Sequence, residues 1–132
     1  MILLDTNAII FDALRPDRLT RAAQRKIQQG QHAEDLACAD ISLWEIAMLV
    51  SKGRLDPGAP VAEFIDLALT ARAIRVLAIT PAVAELAASF DNRVGSDPAD
   101  RLIAATAVHH DAVLITSDKD LKKAGLPVTV LG

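Results

Sequence analysis

Short apolar runs recur along the chain, and longer segments with a helical pattern separate them. The runs are apolar at nearly every position, as a strand covered on both faces should be, rather than alternating between apolar and polar. In order they read "MILL", "LACAD", "IRVLAI", "AVLIT" and "PVTVL". Because such strands are typical of parallel sheets packed between helices, the pattern predicts an α/β fold.

The intervening segments carry the signals that begin and end helices. One helix is expected over residues 17–29, with Asp17 as its cap and Gly30 as its stop. Its apolar positions recur at helical spacing, at Leu19, Ala23 and Ile27. Two later helices are expected to begin with a capping residue followed by proline, in "TPAVAELAASF" and "DPADRLIAATAVHH".

The composition refines this picture and narrows the class of protein. The 132 residues are 52% hydrophobic and show no linker or repeat, so we expect a single domain over residues 1–132. A net charge of −3 provides no global basic signature of a nucleic-acid-binding protein. The single cysteine, Cys38, has no partner for an internal disulfide, which favours a cytoplasmic location. We expect no secretory signal and no membrane segment, because no apolar run approaches roughly 20 residues.

Four carboxylates fall where a parallel sheet would gather them. Asp5 directly follows the first strand, Glu45 lies in the first turn of the helix after the second, and Asp118 follows the fourth. The carboxyl ends of parallel strands share one edge, and ligands bind in the crevice there. Asp100 lies in the first turn of the helix leading to the fourth strand, and joins the others if that helix begins at the same edge.

Each acid taken alone also has a structural interpretation. Ser42–Glu45 has the spacing of a capping box, and Ser117–Asp120 has the same spacing in acidic form. Asp97 is placed to cap its helix, and Asp100 lies where the helix dipole favours an acid. Together, however, converging carboxylates repel one another unless protons or cations neutralise them. Clusters of oxygen ligands prefer hard divalent cations, so the set predicts Mg²⁺ or Mn²⁺ and chemistry on phosphates.

The same residues carry a resemblance to a known family. The segments "LLDTN", "SLWEIA", "DPADRLIAATA" and "LITSDKDL" resemble the four acidic motifs of the PIN domain. Over essentially its whole length, the chain resembles the VapC-type toxins of bacterial toxin–antitoxin pairs. The resemblance implies a three-layer α/β/α sandwich with a five-stranded parallel sheet. It also implies an Mg²⁺- or Mn²⁺-dependent endoribonuclease that a VapB-type antitoxin holds inactive.

Carried over residue by residue, the resemblance assigns the roles in the site. The metal-binding and catalytic acids would be Asp5, Glu45, Asp100 and Asp118, with Asp5 and Asp100 as the principal ligands. Metal-activated water would hydrolyse an RNA phosphodiester and leave 5′-phosphate and 3′-hydroxyl ends. The supporting residues would be Thr6, Asn7, Thr116 and, less directly, Asp97 and Asp120.

Two surfaces are candidates for contacts with RNA and with the antitoxin. Arg18, Arg21 and Arg25 would form one stripe on the helix expected after Asp17, and could be a track for RNA phosphates or simply a solvated face. The apolar faces of "AIIFDAL" and "WEIAMLV" could form a groove for an antitoxin helix or could pack in the core. We also expect a homodimer.

Two rival functions stay open from the sequence. A non-catalytic PIN module would bind RNA or protein without cutting it. A phosphohydrolase of the haloacid-dehalogenase type also uses carboxylates at strand ends, but it would need a second Asp two residues after Asp5, where this chain has Asn7. Cleavage of structured RNA that EDTA abolishes would favour the ribonuclease.

Overall fold

A parallel sheet lies at the centre of the computed structural model, which describes residues 1–127 and the backbone of 130–131. Four strands have three or four residues each: β1 (Ile2–Leu4), β2 (Leu36–Ala39), β3 (Arg75–Leu77) and β4 (Val113–Ile115). A two-residue strand, β5 (Val130–Leu131), pairs with β4. The order is β3-β2-β1-β4-β5, and every pairing is parallel. The predicted α/β class with a parallel sheet is therefore confirmed. Residues 128–129 of the predicted strand "PVTVL" lie outside the described residues.

Helices cover both faces of this sheet. One face carries α1 (Thr6–Leu14), α2 (Arg21–His32), α3 (Ile41–Ser51) and α4 (Val61–Arg72). The other carries α6 (Pro98–His109) and α7 (Lys119–Lys123), with α5 (Pro81–Ser89) packed against α6. Alternate strand residues serve the two layers, since Leu4 and Cys38 join the first core and Leu3 and Leu114 the second. The apolar runs of β1, β2 and β4 follow from this burial on both sides, whereas β3, at the edge of the sheet, is largely exposed. No helix in the described part of the chain has the length and apolar character to cross a membrane.

The helix predicted over residues 17–29 differs from the observed structure. Pro16–Arg18 forms a separate 3₁₀ turn, and α2 begins only after Thr20, whose hydroxyl accepts a hydrogen bond from the Ala23 amide at 3.1 Å. Asp17 lies within this turn and is not the helix cap, and its carboxylate is paired with exposed Arg15. The break separates residues that a continuous helix would have aligned on one face.

Gly30 lies within α2 rather than ending it. A Cβ atom at this position would be 2.4 Å from Cδ2 of Leu36 and 2.9 Å from Cδ1 of Ile2. Both of these side chains are buried, so neither has open space to move into. Glycine is therefore required here by the close approach of α2 to the sheet.

The two capping boxes predicted from the sequence are wrong. The residue before α3 is Asp40, whose carboxylate accepts a hydrogen bond from the Ile79 amide at 3.1 Å instead of capping the helix. Ser42 lies inside α3 and is fully buried. Helix α7 is capped by Asp118 rather than Ser117. Ser42 and Glu45 are thus free to take part in contacts beyond their own helix.

Candidate active site

An acidic cavity of about 590 Å³ opens at the carboxyl edge of the sheet. Asp5 enters it directly from the end of β1, and Glu45 enters it from α3. Asp97 and Asp100 enter it from the beginning of α6. Helix α6 therefore does begin at the edge where the strands end, which was the condition for grouping Asp100 with the other acids.

Asp5 is held in place by the backbone around it. Its own amide continues the sheet by donating to the Ile115 carbonyl at 3.1 Å, and its Oδ1 accepts from the Ala8 amide at 2.7 Å. Burial raises the pKa of Asp5 to about 6, although hydrogen bonds from Thr116 and Ala8 oppose the rise. The neighbouring Glu45 and Asp118 raise it further. The protein thus holds this carboxyl where its charge is unfavourable without a cation.

A chain of hydroxyl contacts orients Glu45. The buried Thr6 hydroxyl lies 3.0 Å from the hydroxyl of Ser42 and also donates to Oε1 of Glu45 in a short hydrogen bond. Burial raises the pKa of Glu45, the Thr6 hydrogen bond opposes that rise, and Asp97 adds to it. Thr6 was predicted as a supporting residue, whereas the role of Ser42 depends on its contact with Thr6 and could not be seen from its spacing alone.

Two acids in the first turn of α6 share one helix terminus. Asp97 caps the helix, with Oδ1 accepting from the Ala99 amide at 2.8 Å and the Asp100 amide at 3.3 Å. Burial raises the pKa of Asp100 to about 7, and the nearby acids add to the rise, in the order Asp97, Asp118, Glu45 and Asp5. Asp100 is thus surrounded by the other carboxylates of the site.

Three of these acids are close enough to share one cation. Glu45, Asp97 and Asp100 each offer a carboxylate oxygen, and these oxygens all lie within 4.8 Å of one another. An all-oxygen donor set suits Mg²⁺ or Mn²⁺ better than softer metals. Asp97 is therefore more central than its predicted role as a cap. The signal was present in the "DPAD" spacing, since a cap and the third residue after it lie on the same turn.

Residues after β4 complete the edge. The buried Thr116 hydroxyl accepts from the Asp118 amide at 3.1 Å and also hydrogen-bonds to Asp5. Asp118 caps α7, where its Oδ1 accepts from the Asp120 amide at 2.8 Å. Asp120 is exposed, and only its backbone contacts Asp118. The structure thus brings Asp118 and Thr116 to the site and leaves the Asp120 side chain outside it.

The predicted arginine stripe is not continuous. Arg18 belongs to the 3₁₀ turn, where its guanidinium carbon lies 4.6 Å from the centroid of the Phe11 ring. Arg21 and Arg25 lie on α2, are exposed, and do not line the acidic cavity. The prediction of one stripe is wrong, because it depended on a helix that includes residue 18.

Arg101 holds the segment that precedes α6. Its guanidinium donates to the carbonyl oxygens of Ala87 at 3.0 Å and Gly95 at 2.7 Å, and also to that of Phe90. These bonds tie the end of α5 and the following loop to the first turn of α6. The N–H groups of Arg101 are therefore bound to the backbone of the protein, and they stabilise the position of Asp97 and Asp100. The position of Arg101 in the sequence did not reveal this role.

One wall of the cavity, on α3, is largely apolar. Trp44 is 57% exposed, and with Ile41, Met48 and Leu49 it faces the same space as the carboxylates. Lys52 and Arg54 also line this cavity. The cavity is therefore lined by carboxylates, by apolar side chains and by two basic side chains.

Comparisons with known proteins agree with this geometry. The family model for the PIN domain matches residues 2–126. Ribonuclease VapC22 of Mycobacterium tuberculosis is 38% identical over 131 residues, covering 98% of this chain and 97% of the relative. VapBC2 from Rickettsia felis, solved with a DNA fragment from its promoter, has a similar fold with a TM-score of 0.73 at 18% identity, covering 98% of this chain and 97% of that one. FitAcB from Neisseria gonorrhoeae has a TM-score of 0.70 at 25% identity, covering 100% of this chain and 97% of that one.

Proposed function

This chain belongs to the PIN-domain family, and from that membership and the acidic cavity we propose that it is an endoribonuclease acting as the toxin of a toxin–antitoxin pair. The main observation behind this proposal is the acidic cavity itself. Four carboxylates line it, and a fifth lies close by: Asp5, Glu45, Asp97 and Asp100, with Asp118. Similarity to Ribonuclease VapC22 over nearly the whole chain supports RNA as the substrate. The single domain over residues 1–132 is part of the same proposal.

The carboxylates fit a divalent cation, Mg²⁺ or Mn²⁺. Glu45, Asp97 and Asp100 would hold it. Asp5, predicted with Asp100 as a principal ligand, lies beside this group together with Asp118, and its place among the ligands stays a prediction. When bound, such an ion neutralises the acids, activates water and stabilises the leaving oxygen of a phosphodiester. The pKa of Asp5, about 6, and that of Asp100, about 7, support this assignment, because the charged forms of these acids lack compensation from the protein alone.

The chain's own residues would orient the acids before RNA arrives. Thr6 directs one oxygen of Glu45, and the Ala8 amide and Thr116 hydroxyl direct Asp5. Asn7 is exposed at the cavity and would contact the sugar or phosphate of the strand. With the acids fixed in this way, little reorganisation is needed when the phosphodiester binds. The 5′-phosphate and 3′-hydroxyl ends stay a prediction.

The apolar wall is the proposed contact for an antitoxin. The related chains from Rickettsia felis and Neisseria gonorrhoeae were solved as VapBC2 and FitAcB, which supports a protein partner here. Trp44, Met48 and Leu49 would receive apolar side chains of the antitoxin, and a basic side chain would reach the acids. In α1, Ile9 and Ile10 are buried in the core, so its contribution to the groove would depend on the half-buried Phe11 and Leu14 and stays a prediction.

A cleavage assay tests the proposed activity. Purified protein should cut structured RNA when Mg²⁺ or Mn²⁺ is present, and EDTA or the substitution Asp100→Asn should abolish the cutting. Expression without the antitoxin should stop growth, whereas expression of Asp100→Asn should not. Binding of RNA without any cleavage would instead favour the non-catalytic PIN module, and metal-dependent hydrolysis of small phosphomonoesters would favour the phosphohydrolase. The homodimer and the cytoplasmic location stay predictions.

A further inference from the structure

A second, smaller cavity adjoins the acidic cavity at Asp5. It encloses about 180 Å³ between α1, the 3₁₀ turn and the carboxyl end of β4. Asp5 and Asn7 line both cavities, and the Asn7 side chain is exposed. A strand with one phosphate at the carboxylates would therefore have a neighbouring nucleotide at this second opening.

Phe11 and Arg18 form one side of this second cavity. The guanidinium carbon of Arg18 lies 4.6 Å from the centroid of the Phe11 ring, within the range of a cation–π contact. Ala8, Leu19 and Ile115 complete an apolar lining. The guanidinium lies over the ring, and Phe11 also packs against the core. An unpaired base would therefore stack on the guanidinium plane, which the aromatic ring supports from behind.

The charge of Arg18 is not committed elsewhere in the described part of the chain. The nearest acid along the chain, Asp17, is held by Arg15 through two hydrogen bonds of 3.2 and 3.0 Å. The Arg18 side chain is exposed and forms no ion pair or side-chain hydrogen bond with a described residue. A free cation beside an acidic site is suited to contact the phosphate of an approaching strand.

We propose that this second cavity binds one unpaired base of the RNA, next to the phosphodiester that is cleaved, with Phe11 and Arg18 as the stacking surface. The proposal rests on the proposed ribonuclease function and deepens it. Ser117 also lines the cavity, and its exposed hydroxyl is available to the edge of the base. The Thr116 hydroxyl is already engaged by Asp5 and the Asp118 amide, so it holds the acids rather than the base.

Removing the base and removing the stacking surface should have the same effect. Cleavage sites are first mapped by sequencing RNA ends, and short single-stranded RNAs spanning one site are made with an abasic ribose at each position beside the cut. At one of these positions the wild-type kcat/KM should fall about tenfold, as expected for the loss of one base–aromatic stack. With the intact RNA, kcat/KM of Phe11→Leu should be lower than that of the wild type by a similar factor, mainly because KM rises. The abasic ribose should not lower kcat/KM of this variant any further.

Arg18→Gln provides a second variant, which removes the guanidinium over the Phe11 ring and keeps the ring itself. It should raise KM and reduce the salt dependence of binding, while Arg25→Gln, the same change at an exposed position on α2, should do neither. Urea unfolding of each variant verifies that it is folded under the assay conditions.

The outcomes separate this proposal from the proposed function. If RNA is cut normally and the abasic ribose has the same effect in wild type and both variants, the base-binding cavity is refuted and the ribonuclease stands. If no RNA is cut, the proposed ribonuclease function is refuted. Binding of a short oligouridylate that carries one 2-aminopurine, a fluorescent base, then tests the base-binding cavity separately. The base-binding cavity is supported if the fluorescence is quenched when the wild type binds and is not quenched when Phe11→Leu binds. Binding to the wild type without quenching overturns it.

Discussion

Replacing Asp5 by Asn should stabilise the metal-free protein while it abolishes activity. Asn is nearly the same size as Asp and caps helices equally well, so the contact with the Ala8 amide is kept. What changes is the charge, which burial and the neighbouring acids make unfavourable in the folded state. The substitution therefore changes the charge of the acidic cavity while its shape stays nearly the same, so the difference in stability measures the electrostatic cost of the Asp5 charge.

The magnitude follows from the pKa of Asp5, which rises from 3.8 in the reference state to about 6 in the folded protein. This difference corresponds to roughly 3 kcal/mol by the linkage between protonation and folding. Because the folded pKa is the higher one, the wild type has its full stability below about pH 4 and loses it as the pH rises to about 6. The advantage of Asp5→Asn should thus be near zero in acid and roughly 3 kcal/mol at neutral pH, or about 10 °C in Tm.

Thermal unfolding followed by circular dichroism in EDTA measures this difference. Wild type and Asp5→Asn are compared at about pH 4 and about pH 8, the two sides of the titration. Asp120→Asn is the matched control, because its side chain is exposed and lies outside the acidic cavity. Added Mg²⁺ should raise the Tm of the wild type more than that of Asp5→Asn. The reasoning would be refuted if folded Asp5→Asn had a lower Tm than the wild type at the higher pH. It would also be refuted if the Tm difference between the two proteins were the same at both pH values.

Three further predictions follow from individual contacts. Thr6→Val removes the hydroxyl that directs Glu45, so Mg²⁺ affinity and kcat/KM should each fall about 10- to 100-fold, and unchanged titration and kinetics would contradict this role. Arg101→Lys keeps the charge but loses the planar fork that binds several backbone carbonyls, so urea unfolding should show a loss of about 2 kcal/mol in the free energy of unfolding. A wild-type urea midpoint would show that these bonds contribute little. Gly30→Ala should destabilise the fold by about 1–3 kcal/mol through contact with Leu36, whereas an increase in the urea midpoint, as helix propensity alone predicts, would mean that the core can adjust.

The strands and the order of the acids could be predicted because they depend on local pattern. Strands buried on both faces must be apolar at successive positions, as in β1, β2 and β4, and this is visible in any window of the sequence. The placement of Asp5, Glu45 and Asp118 at one edge then follows from the parallel direction of the strands. Helix boundaries were less predictable, because Asp17 and Thr20 are both good capping residues and the sequence pattern does not choose between them.

The amino-acid sequence by itself determined the α/β class, the chain order of the acidic motifs and their chemistry as ligands for a hard cation. Only the tertiary structure decided which of those acids meet. Asp97 joins Glu45 and Asp100 because α6 begins at the same edge as α3, and Asp120 does not because α7 leaves its side chain exposed. Likewise, the contact of Thr6 with Ser42 and Glu45 joins residues more than 35 positions apart. Spacing along a chain constrains neighbours within one or two helical turns, whereas distances between elements depend on how their apolar faces pack, and no local pattern contains that information.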